Sequence, residues 1–176
     1  MADRRATDAL TSASAGDEFA FRRIIAAHHD DMRKVCMAIA DDRSIADEAT
    51  QSAWVIAWKR LRDVSDPGHL RPWLVTVAAN EAKQILRKRR RRAEVEVAAD
   101  SSGEPGGTDP RLDVADIDLR HAMAGLDPDD RALLALRYVA GFDSNELARA
   151  IGISPSGTRN RLERLLKRLR EELDHG

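Results

Sequence analysis

The stretch Asp143-Ser-Asn-Glu-Leu-Ala-Arg-Ala-Ile-Gly-Ile-Ser-Pro-Ser-Gly-Thr-Arg-Asn-Arg-Leu162 restricts the possible folds of this chain more than any other. Asp143 or Ser144 can cap a short helix carrying Leu147 and Ala148, and the small Ala148 lets a second helix approach closely. Gly152 supplies the turn, where a positive φ is easiest for glycine. Ser154 then caps the next helix, with Pro155 in its first turn. Two short helices joined this way make a helix-turn-helix, whose second helix enters the major groove of DNA. At about 100° per residue, Leu162, Leu165, Leu166, Leu169 and Leu173 of that helix fall in one apolar arc. Ser156, Asn160, Arg164, Lys167 and Arg168 fall on the other side. Asn can read adenine and Arg guanine, while Lys and Arg also grip phosphates. An ordinary amphipathic helix with a solvated charged face has the same periodicity; the turn chemistry favours the DNA reader.

Charge distribution agrees. The net charge of the 176 residues is −1, which favours no partner, but the charges are segregated. One basic cluster is Lys83, Arg87, Lys88, Arg89, Arg90, Arg91 and Arg92; a second is Arg159, Arg161, Arg164, Lys167, Arg168 and Arg170. Between them lies an acidic stretch from Glu94 to Asp118, relieved only by Arg111. Two basic surfaces on an acidic connector suit a nucleic-acid binder.

Residues 1–15 are small and polar and are expected to be disordered. The N-terminal domain is expected over 16–93, as successive helices. Asp17 can cap the first of these, and Ser44 another reaching about Leu61. The Pro67-Gly68 pair predicts a turn, and a further helix is expected from near Arg71-Pro72 into the arginine block. Residues 94–115 read as a flexible acidic linker, able to extend at most on the order of 70 Å at ~3.3 Å per residue. Helical periodicity returns over 116–176. No strand-like alternation stands out, so the predicted fold is all-α, in two small domains. Cys36, the single cysteine, sits in an apolar helical pattern and is expected to be a buried thiol. No apolar run approaches the roughly 20 residues that span a bilayer, and Met1 to Gly16 has no signal-peptide core. A cytoplasmic protein is expected.

Two N-terminal helices carry more than core residues. In the helix from Ser44 to Leu61, Ile45, Ala49, Ala53 and Ile56 share one arc, with Asp47, Gln51, Trp54 and Trp58 nearly opposite. Aromatic residues away from a core are typical interface anchors. Another helix could instead cover that side; covering is expected for Trp58, and both possibilities stay open for Trp54. The next helix buries Leu74, Val77, Ala78 and Ile85 and aligns Trp73, Asn80, Gln84 and Arg87 on its other face. An aromatic plane, amides and an arginine suit single-stranded DNA, although half-buried structural residues would look alike. The arginine run beyond, Arg90 included, suits a phosphate track. His28, His29, His69, His121 and His175 are scattered, and no carboxylate pair, Cys/His cluster or phosphate loop assembles a catalytic site. Neither an enzyme nor a cofactor or metal is expected.

With these motifs in place, the chain resembles the bacterial sigma factors of RNA polymerase. Ala46-Asp-Glu-Ala-Thr-Gln-Ser-Ala-Trp54 resembles their polymerase-binding helix, and Pro72-Trp-Leu-Val-Thr-Val-Ala-Ala-Asn80 their promoter-melting helix. Leu126-Asp-Pro-Asp-Asp-Arg131, Glu146-Leu-Ala148 and Ile151-Gly-Ile-Ser-Pro-Ser-Gly-Thr158 resemble their upstream-element-binding domain. The resemblance covers about residues 17–92 and 116–173, and the two-domain layout is that of the extracytoplasmic-function (ECF) group. It implies that Asp47, Glu48, Gln51 and Trp54 dock on the clamp of core RNA polymerase. Trp73, Asn80, Gln84, Arg87 and Arg90, with the 62–70 loop, would recognise and hold open the downstream promoter element, capturing a flipped base. Ser156, Thr158, Asn160, Arg161, Arg164, Lys167 and Arg168 would read the upstream element as duplex, in a domain that also touches the polymerase flap. The acidic linker would thread the polymerase interior. An anti-sigma factor is a further partner the group admits.

The chain departs from the family pattern at three positions. Glu48 and Gln84 stand where Asp is common, and Arg159 where an aliphatic residue is usual, at the edge of the apolar arc. The rival reading is a stand-alone helix-turn-helix regulator whose N-terminal domain dimerises or senses.

Overall fold

In the computed structural model of this chain, the described residues are 2–97 and 114–175, and among them every regular element is helical. The first is α1, Ala2–Ser14, a helix within the segment for which disorder is expected. Its Ala9, Leu10 and Ala13 are buried, and this short apolar face, too small to stand out in a polar sequence, packs it on the next helix. Helix α2, Glu18–Ala40, starts where Asp17 accepts from the Phe19 and Ala20 amides at 2.8 and 3.2 Å. Helix α3, Arg43–Arg60, is capped by Asp42 rather than by Ser44, through a 3.0 Å bond from the Ile45 amide.

A 3₁₀ turn, Leu61–Asp63, leads to α4, Pro67–Val97. Here Pro67 and Gly68 open a helix instead of forming a separate turn. Proline needs no amide partner at the first helical position, and Asp66 accepts from the Gly68 amide at 2.8 Å. Pro72 consequently lies inside the helix rather than in its first turn. The rest of the chain forms α5, Val114–Ala124; α6, Pro128–Leu134; a π turn, Ala135–Val139; α7, Ser144–Ile151; and α8, Pro155–His175. Most of the acidic linker lies outside the described residues.

Helices α2, α3 and α4 pack on one another around Met32, Val35, Cys36, Ile39, Ala46, Ala49, Ala53, Leu74, Val75, Ala78 and Ala82. The alanines let the helix axes approach closely, and each buried leucine or valine contributes roughly 1.5–3 kcal/mol. The C-terminal helices surround Leu133, Leu136, Phe142, Leu147, Leu165 and Leu169, and the two apolar groups are continuous. Helix α6 and the π turn lie against α2 and α4. Arg71 fastens this junction: its Nε donates to Asp31 at 2.7 Å and its terminal nitrogens to the Ala140 carbonyl at 3.2 Å.

Candidate nucleic-acid interface

Helix α3 presents a different face from the one expected. Trp54 is 9% exposed; its ring meets Phe21 edge-on at 5.8 Å, and its indole N–H donates to His29 Nδ1 at 3.2 Å. It is a core residue covered by α2, not an exposed one as the interface reading expects. Trp58, expected to be the covered one, is 41% exposed and rests only an edge on Phe21 at 4.8 Å. The outer line of α3 therefore runs Glu48, Gln51, Val55, Trp58, with Arg62 beyond, all exposed. Asp47 is exposed but pairs with Arg33 at 2.7 Å and Arg43 at 3.8 Å, while Glu48 faces Arg89 at 3.9 Å. Periodicity alone could not separate Trp54 from Trp58, because they stand one turn apart and only the position of α2 decides between them.

The α4 stripe is graded in depth. Trp73 is partly buried against the core, Asn80 is half-buried, and Gln84 and Arg87 are exposed. The Gln84 amide donates to Glu81 at 3.3 Å, and burial raises the carboxyl pKa of Glu81. Arg90 is exposed in the arginine track. Upstream, Leu61 and Val64 anchor the loop in the core, so that Arg62, Asp63, Ser65 and Asp66 are displayed beside the helix. A cavity of about 550 Å³ lies between Glu48 and Ser52 of α3 and Gln84, Lys88 and Arg92 of α4, so the two candidate surfaces adjoin.

In the C-terminal domain, Asp143 and Glu146 form a reciprocal capping box at the start of α7. Gly152 ends that helix at φ 74°, and Ser154 Oγ accepts from the Gly157 amide at 3.1 Å at the start of α8. Ser156, Asn160, Arg164, Lys167 and Arg168 are exposed. Arg164 Nε donates to the Asn160 carbonyl at 3.2 Å, and Lys167 pairs with Glu171 at 3.7 Å. Thr158 is different: it is fully buried, and its hydroxyl donates to the Ser154 carbonyl at 3.0 Å. It stabilises the first turn of α8, and its side chain is enclosed within the domain rather than exposed. Arg161 is turned to the buried Asp130, donating from Nε at 3.0 Å and Nη2 at 2.7 Å, and Arg168 approaches the same carboxylate at 3.5 Å. A basic residue in a recognition helix looks alike in sequence whether it grips phosphate or a carboxylate of its own domain. Arg159, the unusual residue, is exposed.

The comparisons with known proteins agree with this layout. Residues 24–92 match sigma-70 region 2, and residues 116–169 match sigma-70 region 4. The RNA polymerase sigma factor CarQ of Myxococcus xanthus is 30% identical over 90% of this chain and 91% of its own length. The probable RNA polymerase sigma factor RfaY of Xanthomonas campestris is 30% identical over 93% of this chain, which spans only 43% of that relative. The ECF designation is carried by SigL of Mycobacterium tuberculosis, 26% identical over 92% of this chain and 93% of that one. Among solved structures, CnrH in complex with the cytosolic domain of CnrY shares the fold with a TM-score of 0.70, at 23% identity over 97% of this chain and 98% of that one. The sigma factor RpoE, solved with the anti-sigma factor NepR from Bartonella quintana, has a TM-score of 0.69 at 21% identity, over 88% of this chain and 96% of that one. The chain belongs to the sigma-70 family of RNA polymerase sigma factors, and is of the ECF type. The match of its N-terminal half to sigma region 2 disfavours a stand-alone regulator.

Proposed function

We propose that this sigma factor divides its work among three surfaces. The outer line of α3, Glu48, Gln51, Val55 and Trp58, docks on the polymerase clamp. The α4 stripe and the loop before it capture the downstream element as separated strands, with the arginine track holding the backbone. The exposed face of α8, led by Asn160 and Arg164, reads the upstream element as duplex, with its domain against the polymerase flap. The acidic linker passes through the polymerase between the two DNA-binding domains. The protein has no catalytic role of its own and acts on promoters in the cytoplasm. An anti-sigma factor, the class of protein bound to RpoE in its solved structure, belongs to the same reading.

The observation that carries this is the α4 face, where a half-buried amide, Asn80, stands between an aromatic ring and a run of exposed arginines. An extruded base must recover its lost stacking and pairing, and aromatic stacking supplies ~1–3 kcal/mol per base. Run-off transcription with holopolymerase on duplex and pre-melted bubble promoters tests it. Asn80→Ala should reduce opening on duplex and blunt base discrimination on the bubble. Arg90→Ala should weaken both templates with base preference unchanged, as a phosphate contact would. Intact discrimination by Asn80→Ala on the bubble would move the reading site to the 62–70 loop, and promoter-specific activity without core polymerase would sink the whole reading.

A further inference from the structure

We infer that Lys83 and Arg87 form a binding site for one backbone phosphate of the promoter strand, and that Asp129 fills this site in the free protein. The inference rests on the reading of α4 as a DNA surface and adds to it a residue, Lys83, outside the stripe. The two cations lie four residues apart on α4. Lys83 Nζ is 3.3 Å from Asp129 Oδ1, and Arg87 Nη2 pairs with Asp129 Oδ2. Each carboxylate oxygen thus has its own cation. A phosphodiester presents two non-bridging oxygens in the same manner, and Arg and Lys bind both kinds of anion through charge-assisted hydrogen bonds.

Three further observations mark the position as an anion site. The Lys83 side chain is only 15% exposed, and an ammonium group removed from water is costly without a counter-charge. Partial burial pushes the Asp129 pKa up, but Lys83 and Arg87 together outweigh it and hold the carboxyl below its ordinary range. A cavity of about 330 Å³ alongside is lined by Arg87, Arg90 and Arg91 of α4, Arg161 of α8, and Asp127 and Asp129. Arg87 pairs with Asp129 at this cavity, while Arg161, which also lines it, is bound to Asp130.

One carboxylate and one phosphate cannot occupy the same pair of cations. Strand binding at this pair therefore has to displace the Asp129 carboxylate, which stands in the first turn of α6. The carboxylate acts as an internal competitor.

The test is fluorescence anisotropy of the full chain with a labelled single-stranded oligonucleotide of downstream-element sequence, at low salt. Asp129→Asn should raise affinity about tenfold, the change expected if roughly one free molecule in ten has the site open. The side chains are of nearly equal size, and the Asp129 amide would keep its 2.8 Å bond to Asp127. Asp30→Asn makes the same change in net charge at an exposed position outside this cavity and should leave affinity nearly unchanged. In the double variant Asp129→Asn/Lys83→Met the gain should vanish. Equal gains from Asp30→Asn and Asp129→Asn would reduce the effect to overall charge and overturn the inference. If Arg90→Ala weakened binding while Asp129→Asn and Lys83→Met changed nothing, the phosphate site would be wrong and α4 would still be the DNA surface. If none of the α4 changes altered oligonucleotide binding, the reading of α4 itself would fail.

Discussion

The two tryptophans of α3 stand one turn apart, one buried and one exposed. Trp54 spends its ring on Phe21 and its N–H on His29, so Trp54→Ala should act on stability first, by about 3 kcal/mol. Trp58→Ala should leave the melting temperature close to wild type and weaken core-polymerase binding by about 2 kcal/mol, the scale of an exposed aromatic anchor. Affinity and thermal-melt measurements on both variants check the assignment; the opposite pattern would return Trp54 to the interface. Cys36 makes a comparable prediction in chemical terms. Its thiol is buried, donates to the Ala78 carbonyl at 3.4 Å, and burial pushes its pKa up to about 11. Compared with the ordinary value of 9.0, the thiolate fraction near neutral pH is about 100-fold lower. Alkylation should be slow in the native protein and fast in denaturant, and a fast native reaction would contradict the burial.

At the level of elements, the helix-turn-helix depends on two local devices. Gly152 sits at φ 74° with open space around its Cβ position. Gly152→Ala should therefore cost about 1 kcal/mol from backbone conformation alone, without a steric clash. Gly152→Asn should cost less, because asparagine tolerates the left-handed region. Denaturant titration of the three proteins reads the order directly. Asp143 is the second device. The Glu146 amide bond comes first in holding its carboxyl below the ordinary value of 3.8, against desolvation and with help from the Asn145 amide. A depressed pKa means that the cap contributes stability above the unfolded value and loses it as pH falls through the folded one. Fraying of α7 is thus expected only below about pH 3.8. An NMR titration of the Asp143 carboxyl with a midpoint at or above that value would remove the cap from this role. Both devices are legible in the residue string, as is the Ser154 cap. The start of α4 was not, because Pro67-Gly68 suits a turn and a helix N-terminus equally, and the choice depends on Asp66.

For the molecule as a whole, Arg131 has the widest reach. It donates to the carbonyls of Leu126 at 3.2 Å, Ala124 at 2.6 Å and Ile39 at 3.4 Å, tying α5 and α6 to the end of α2. Burial lowers its pKa, with Asp41 and Asp127 opposing. Arg131→Met should retain the apolar stem and orphan these carbonyls, costing about 2 kcal/mol. Amide hydrogen exchange should then quicken in the C-terminal turn of α2 and at the α5–α6 connection. Unchanged exchange at α2 with faster exchange at α5–α6 would confine Arg131 to its own domain.

The helices, the helix-turn-helix and the two charged surfaces could be read from the residues because each arises from short-range causes. A cap acts within three residues, an apolar arc repeats every turn, and a glycine bends the chain where it stands. Asp17, Asp143, Gly152 and Ser154 all belong to this class. Family motifs over the same stretches supplied the function. The tertiary structure decided what those rules leave open: which side of a helix another helix covers, and which cation meets which anion. Trp54 was drawn inside by Phe21 and His29, which come from another helix, and Thr158 by the packing of α8 on its own domain. Arg161 was taken up by Asp130, 31 residues away in sequence, and Arg87 by Asp129, 42 residues away. Charge and hydropathy say that such groups need a partner or a burial site; only the packing of distant segments says which one they have.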